Sequence, residues 1–453
     1  MSTPARSAVV LIFDRLNAAA LGPYGSTWVD TPGCNQLAAR SALYEWALAD
    51  SPKLEQVYQS YWTGRHAASR IAAGASPSSE PPPTLPSLLA AAGIASELLT
   101  DDPRVAQLAE ADDFTDRLAL DPPEVTGAAE SSEETQLGQM LAASIQHWLE
   151  ESDPRLSWIH VRALDGAWDA PHELRERLAD EDDPDPPTYI DPPERRLERG
   201  FDPDLVLGDS QAYAAQVSAL DDCLAAWLDA FWELAAARNA LLIVTSPRGF
   251  PLGEHRRVGA CDDALYNELV HVPMFVFRPD AVGALDRRSR LVQPPDLFAT
   301  LIEWFGVQPP DGCWGLSLLE DTDAPLSQQP AGSESVVAEA VSTESASAEA
   351  ASAESAAVAP TDVVVTAPRD FALSVDEGQY ALRTPGWMLR ATGDDVELFL
   401  KPGDRCEANE VGALCPDVVD AMRQFATEAT AAAAAGQRSQ APTPSPELCE
   451  YAE

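Results

Sequence analysis

An aspartate followed at once by an arginine closes the first apolar run of this chain: Ala8-Val-Val-Leu-Ile-Phe13 leads into Asp14-Arg15. A carboxylate at a strand's carboxyl end can ligate a metal or pair with an arginine. Calcium takes roughly six to eight oxygens, and a guanidinium next door would repel it, so an ion pair is the expected reading. A second arginine, Arg248, follows Thr245-Ser246-Pro247 after a later apolar run. If Arg15 and Arg248 meet at the strand ends, they could hold a carboxylate, sulfate or phosphate without cleaving it. The competing reading has them neutralised by Asp14 and Asp101. His160 sits inside an apolar run, where a histidine is more often hydrogen-bonded structure than a ligand. His255, in Gly253-Glu-His255, is read as structural too.

Seven cysteines are present, with no C-x-x-C pair, so neither a zinc knuckle nor a thioredoxin-type motif is expected. Cys406 and Cys415 are close enough in sequence to pair in an oxidising compartment. Free buried thiols are the commoner case in a chain this long.

These groups need a scaffold, and the apolar pattern supplies one. Continuous β-branched runs at Ala8–Phe13, Leu156–Val161 and Ala240–Thr245 read as central parallel strands covered on both faces. Ile94–Leu99 and Val272–Phe277 read as further strands. Between them the spacing predicts helices after Pro32, over Glu55–Arg70, Thr84–Ala92, Leu137–Leu149, Ser210–Arg238 and Pro295–Gly306. Strands alternating with helices argue an α/β fold with a mostly parallel central sheet sandwiched by helices. Residues 1–320 form that domain. Residues 321–360 are almost all Ala, Ser, Glu, Pro, Thr and Val and read as a disordered insertion. Residues 361–430 read as a small C-terminal α+β subdomain with strands near Tyr380–Arg383, Trp387–Arg390 and Val396–Phe399. Residues 431–453 read as a low-complexity tail.

Of 453 residues, 45% are apolar, enough for a sizeable core. Asp and Glu total 73 against 30 Lys and Arg, a net charge of −43. Such a surface repels nucleic acid and anionic lipid, so neither is an expected partner. No signal peptide or transmembrane run is evident, and a cytoplasmic protein is expected.

Leu11-Ile-Phe-Asp14, with Leu21-Gly-Pro-Tyr-Gly25 and Thr31-Pro32, resembles the opening strand and loop of the sulfatase family, in the alkaline-phosphatase-like superfamily. Tyr61-Trp-Thr-Gly-Arg65 resembles the end of that family's nucleophile helix. Thr245-Ser246, Gly249 and Gly253-Glu-His255 resemble its metal-loop segment. Val272-Pro273, Asp296-Leu297 with Thr300-Leu301, and Gly315-Leu-Ser-Leu-Leu319 match later motifs. Glu397-Leu-Phe399, Gly403-Asp404 and Glu407 to Asn409 resemble its C-terminal segment. The shared order and spacing carry the resemblance. It implies the family's fold, a divalent cation (usually calcium) at the strand ends, and a Cys or Ser nucleophile converted to formylglycine.

The same resemblance marks what is missing. Nine residues before Thr63 the nucleophile position falls on Leu54, with Gln56, Val57 and Tyr58 where the family has Pro, Ser and Arg. The second metal aspartate falls on Arg15, and the later ligand pair on Pro247 and Arg248. Asp14 is thus the one residual ligand, and the site is expected to hold no ion. The family's sulfate-contacting Lys and His fall on Asp101 and Pro103. Its middle histidine falls near Ala167-Trp168, flanked by His160 and His172, and its C-terminal lysine around Trp387. The expected protein is therefore a sulfatase-like pseudoenzyme, a binding or scaffold protein without a cofactor, whose partner is an unknown small anion or a protein. The alternative is a sulfate- or phosphate-ester hydrolase with a rebuilt site, which would take calcium if that site functions.

Overall fold

The computed structural model describes residues 6–73, 81–122, 124–151, 153–260, 264–319 and 369–450. Residues 321–360, the expected insertion, lie outside them.

A nine-stranded sheet forms the centre. Across it lie Arg287–Val292, Ala42–Leu48, Met274–Phe277, Ala240–Thr245, Ser7–Phe13, Arg155–Val161, Ala95–Thr100 and Asp116–Ala119, with His271–Val272 added beside Ala42–Leu48. Ser7–Phe13 pairs in parallel with Arg155–Val161 on one side and Ala240–Thr245 on the other. Met274–Phe277 and His271–Val272 run antiparallel to their neighbours. The first strand is buried along its whole length. Ala8, Val10 and Ile12 enter the core on one face, while Val9, Leu11 and Phe13 enter the core on the other. That two-sided burial is why the run lacks alternating polar residues.

Helices cover both faces. The longest, Pro203–Ala235, packs beside Pro32–Arg40 and turns the Asp221 carboxylate onto that helix's first turn. Its oxygens accept from the Gly33 and Cys34 amides at 2.7 Å each, satisfying donors no helix can satisfy itself. Thr84 caps Leu85–Ala91 with a reciprocal Ser87 bond. The single helix expected over Glu55–Arg70 is two, Leu54–Thr63 and Ala68–Ala73. Gly64 separates them in left-handed backbone (φ 66°), where a Cβ would lie 2.5 Å from the Phe298 ring.

The C-terminal part is an antiparallel sheet, Ala372–Asp376, Gln379–Arg383, Trp387–Thr392 and Asp395–Leu400, backed by the helix Pro416–Ala434. Its first strand is absent from the sequence-based expectation. Buried ties join this sheet to the main body: Arg369 pairs with Asp296, and His66 and Gln293 both bond the Leu373 carbonyl. Composition marks 431–453 as a tail, yet its described part packs. Ala432 and Ala433 are buried, Arg438 donates to the Trp314 carbonyl at 2.7 Å, and Leu448 is buried in the short helix Pro446–Cys449. Alanine-rich sequence looks featureless, but alanine is the best helix former. No helix among the described residues is long and apolar enough to cross a membrane.

Candidate functional site

Four strands deliver charged residues to one edge of the sheet. Asp14 follows Ser7–Phe13, Asp102 follows Ala95–Thr100, Asp165 follows Arg155–Val161, and Arg248 follows Ala240–Thr245. Arg248 forks onto Asp14, with Nε 3.0 Å from Oδ1 and Nη2 2.9 Å from Oδ2. Both residues are buried. Arg15 stands in left-handed backbone (φ 64°) and donates from Nε to Asp165 Oδ1 at 2.6 Å. Arg104, from the short helix Pro103–Ala106, reaches in from the solvent side. Its Nη2 lies 2.6 Å from Asp102, 2.5 Å from Asp165 and 3.5 Å from Asp14. Three guanidiniums thus face three carboxylates.

Behind this layer, His160 Nδ1 lies 2.5 Å from the Tyr58 hydroxyl. His160 Nε2 is 3.5 Å from Asp102 Oδ2, too far for a good hydrogen bond. Burial by itself would raise the Asp14 carboxyl, but Arg248 overrides it and holds Asp14 below its usual range. Burial is likewise overridden at Asp102, where His160 and Arg104 hold the carboxyl far down. Burial pushes the Tyr58 phenol well up, so it stays protonated. Each carboxylate of the network thus faces at least one guanidinium.

Of the positions singled out in the sequence, Asp14, Arg15 and Arg248 do come together. Asp101 does not neutralise either arginine; its Oδ1 accepts from the Arg162 amide at 2.8 Å. Asp165 takes that part, because the Arg15 backbone turns its side chain toward the loop after Arg155–Val161. Pro103 opens the helix that carries Arg104. Pro247 precedes Arg248 in a turn in which Ser246 Oγ bonds the Arg248 carbonyl at 2.6 Å. Leu54, at the start of its helix, is buried in the apolar core. Trp168 is buried against Tyr213 and Phe250, with its indole N–H on the Leu164 carbonyl. Trp387 belongs to the C-terminal sheet and donates to the Glu447 carbonyl. His255 lies 2.9 Å from Glu268, ring-stacked on Tyr266. Cys406 and Cys415 are both free thiols. Sequence reasoning missed Asp102, Arg104 and Asp165. The available signal was their place: Asp102 and Arg104 flank Pro103 just past a strand end, and Asp165 follows the next strand.

A sequence profile of the sulfatase family matches residues 6–307. The chain belongs to the sulfatase family. It is 30% identical over 107 residues to an N-acetylglucosamine-6-O-sulfatase of Bacteroides thetaiotaomicron. That match spans 23% of this chain and 19% of the relative, so the chain matches only about a fifth of that protein's length. Its fold is similar to that of the phosphonate monoester hydrolase of Agrobacterium radiobacter, with a TM-score of 0.68 at 15% identity over 92% of this chain and 94% of that one. It is also similar to a protein solved with its substrate D-glucosamine-2-N,6-O-disulfate, with a TM-score of 0.66 at 15% identity over 97% and 100% of the two chains. At such identities the likeness shows a shared sulfatase fold.

The family implies a metal ion at these strand ends. Asp14, Asp102 and His160 bring possible ligand atoms within 4.8 Å of one another. This sulfatase-family chain does not otherwise fit calcium. Both Asp14 oxygens are bound by Arg248, Asp102 is bound by Arg104, and an imidazole is no calcium ligand. A divalent ion would have to displace guanidiniums that already supply positive charge there.

Proposed function

We propose that this sulfatase-family protein does not hydrolyse sulfate or phosphate esters and works as a binding or scaffold protein. The Asp14–Arg248 fork carries the reading: a guanidinium occupies both oxygens of the residue best placed to ligate the catalytic metal. Buried Leu54 supports it, since leucine offers no nucleophilic atom where the family's attacking group belongs. A small anion bound by Arg15 and Arg248 would have to take them from Asp165 and Asp14, which disfavours that pair as the ligand's anchor.

One observation favours a rebuilt hydrolase site, namely the Tyr58–His160 contact beside Asp102, which resembles a nucleophile, base and orienting acid. Tyr58 and His160 are both fully buried, which denies an ester access. The test is hydrolysis of p-nitrophenyl sulfate, phosphate and phenylphosphonate by protein dialysed against calcium, magnesium or manganese, with metal content read by mass spectrometry. The expected outcome is no turnover above buffer and no stoichiometric metal. Turnover that Tyr58→Phe abolishes in a folded protein would establish the rebuilt site instead.

A further inference from the structure

Beside the strand ends lies a cavity of about 160 Å³, which none of the six charges of the Asp14–Arg248 network lines. That is about the size of an engineered protein cavity that takes up benzene. Its walls come from six separate stretches: the loop carrying Asn17 and Tyr24, the strand residues Glu45 and Trp46, the loop carrying Glu254, the short helix and strand from Asn267 to His271, the start of Arg287–Val292, and the loop after Asp395–Leu400. Aromatic and aliphatic surface dominates, with a few polar groups among it, the make-up of a small-molecule site.

Most charges around the cavity already have partners. Glu45 pairs with Arg287 at 3.2 Å, and Glu268 with His255 at 2.9 Å. Burial opposes a proton on His255, but Glu268 beside it raises the imidazole above its ordinary value. His271 is driven down to about 4 by burial and brings no charge. Two groups are left. Glu254 accepts from the Leu252 amide at 2.6 Å through Oε2. Among the described residues, the guanidinium of the exposed Arg405 makes a single long bond, 3.4 Å, to the Tyr24 carbonyl. Glu254 and Arg405 both line the cavity, and neither forms an ion pair with the other or with any other described residue. A carboxylate and a guanidinium facing one apolar space without meeting are complementary to a ligand that bears both opposite charges.

We propose that this cavity binds a small zwitterion, an α-amino acid with a compact apolar side chain. Its ammonium group sits on Glu254, its carboxylate on Arg405, and its side chain against Trp46 and Tyr24. The proposal supplies a ligand for the binding role above and rests on that reading only for its biological sense. Hydrolytic turnover would overturn the binding-protein reading and leave the amino-acid site standing, so the two fail separately.

The test is calorimetric titration of the full chain with L-leucine and with its two halves, 4-methylpentanoate, which lacks the ammonium, and 3-methylbutylamine, which lacks the carboxylate. Leucine binds one to one, and each half binds at least about tenfold more weakly, the loss of one charged contact. Glu254→Gln, which keeps an oxygen for the Leu252 amide, and Arg405→Gln each weaken leucine about tenfold or more with an unchanged circular dichroism spectrum. If either variant misfolds, the comparison of leucine with its halves on the unaltered chain decides. No leucine heat up to about 10 mM overturns the proposal. So does a half-molecule that binds as tightly as leucine, or a pair of folded variants that bind as the parent does.

Discussion

Asp14 stands at a strand end, where it is paired with an arginine. A carboxylate buried to this degree needs a positive charge, and Arg248 provides it through two hydrogen bonds rather than through coordination. Removing one member of a buried pair strands the other, at a cost of about 3–5 kcal/mol. Arg248→Ala should therefore lower unfolding free energy in urea by about that amount, and Arg248→Ala with Asp14→Ala should recover part of it. A single variant within about 1 kcal/mol of the parent would show that Arg104 alone neutralises Asp14. The sequence exposed Asp14, Arg15 and Arg248 because each falls where a strand ends. Which carboxylate meets which arginine depended on the positive φ of Arg15, a backbone choice that side-chain type does not encode.

Elements meet at Asp50, two residues past the end of Ala42–Leu48. Its Oδ2 accepts from Ser60 Oγ at 2.6 Å and from the Ala67 amide at 2.9 Å, joining the strand end to the two helices either side of Gly64. Its carbonyl accepts from the Val375 amide at 2.9 Å and ties in the C-terminal sheet. Oδ1 is buried without a hydrogen bond. Burial raises this carboxyl from 3.8 to about 7, against the lowering pull of its donors and of Arg369. A folded value above the unfolded one means the folded chain holds the proton more tightly. Asp50 therefore contributes stability below about pH 4 that is lost as pH climbs to about 7. Asp50→Asn removes that slope: the variant should melt higher than the parent at pH 8, and the advantage should vanish near pH 4. Parallel melting curves at both pH values would mean that Asp50 stays ionised in the folded state. Apolar spacing predicts one helix here where the structure has two, and it does not mark Ala42–Leu48 as a strand. The contact was not legible either, because residues 50, 67 and 375 are brought together by sheet order and helix packing.

At the scale of the whole chain, the strand-end charges cancel locally while the surface carries the net charge of −43. A family member that needs calcium to neutralise its strand ends loses stability when calcium is removed, since a ligand at a hundredfold its Kd adds about 2.7 kcal/mol. Here Arg15, Arg104 and Arg248 already do this. Thermal unfolding should be unchanged between EDTA and calcium once ionic strength is matched with sodium chloride, a control that an acidic surface requires. A calcium-specific rise of more than about 3 °C would show a bound ion worth about 1 kcal/mol or more. In that event the arginines would have to move aside for the ion.

The order of motifs along the chain marked the family, and local chemistry by itself marked the central parallel strands, since two-sided burial demands unbroken apolar runs such as Ala8–Phe13. It also determined that Leu54 cannot act as a nucleophile, because no fold can give leucine a nucleophilic atom. It read 431–453 as a tail only because alanine repeats look alike whether they pack or not. The tertiary structure alone decided that Asp165, 150 residues away, balances Arg15. It alone brought Glu254 and Arg405 to one cavity, because contacts between distant loops depend on how sheets and helices stack, which residue types by themselves do not record.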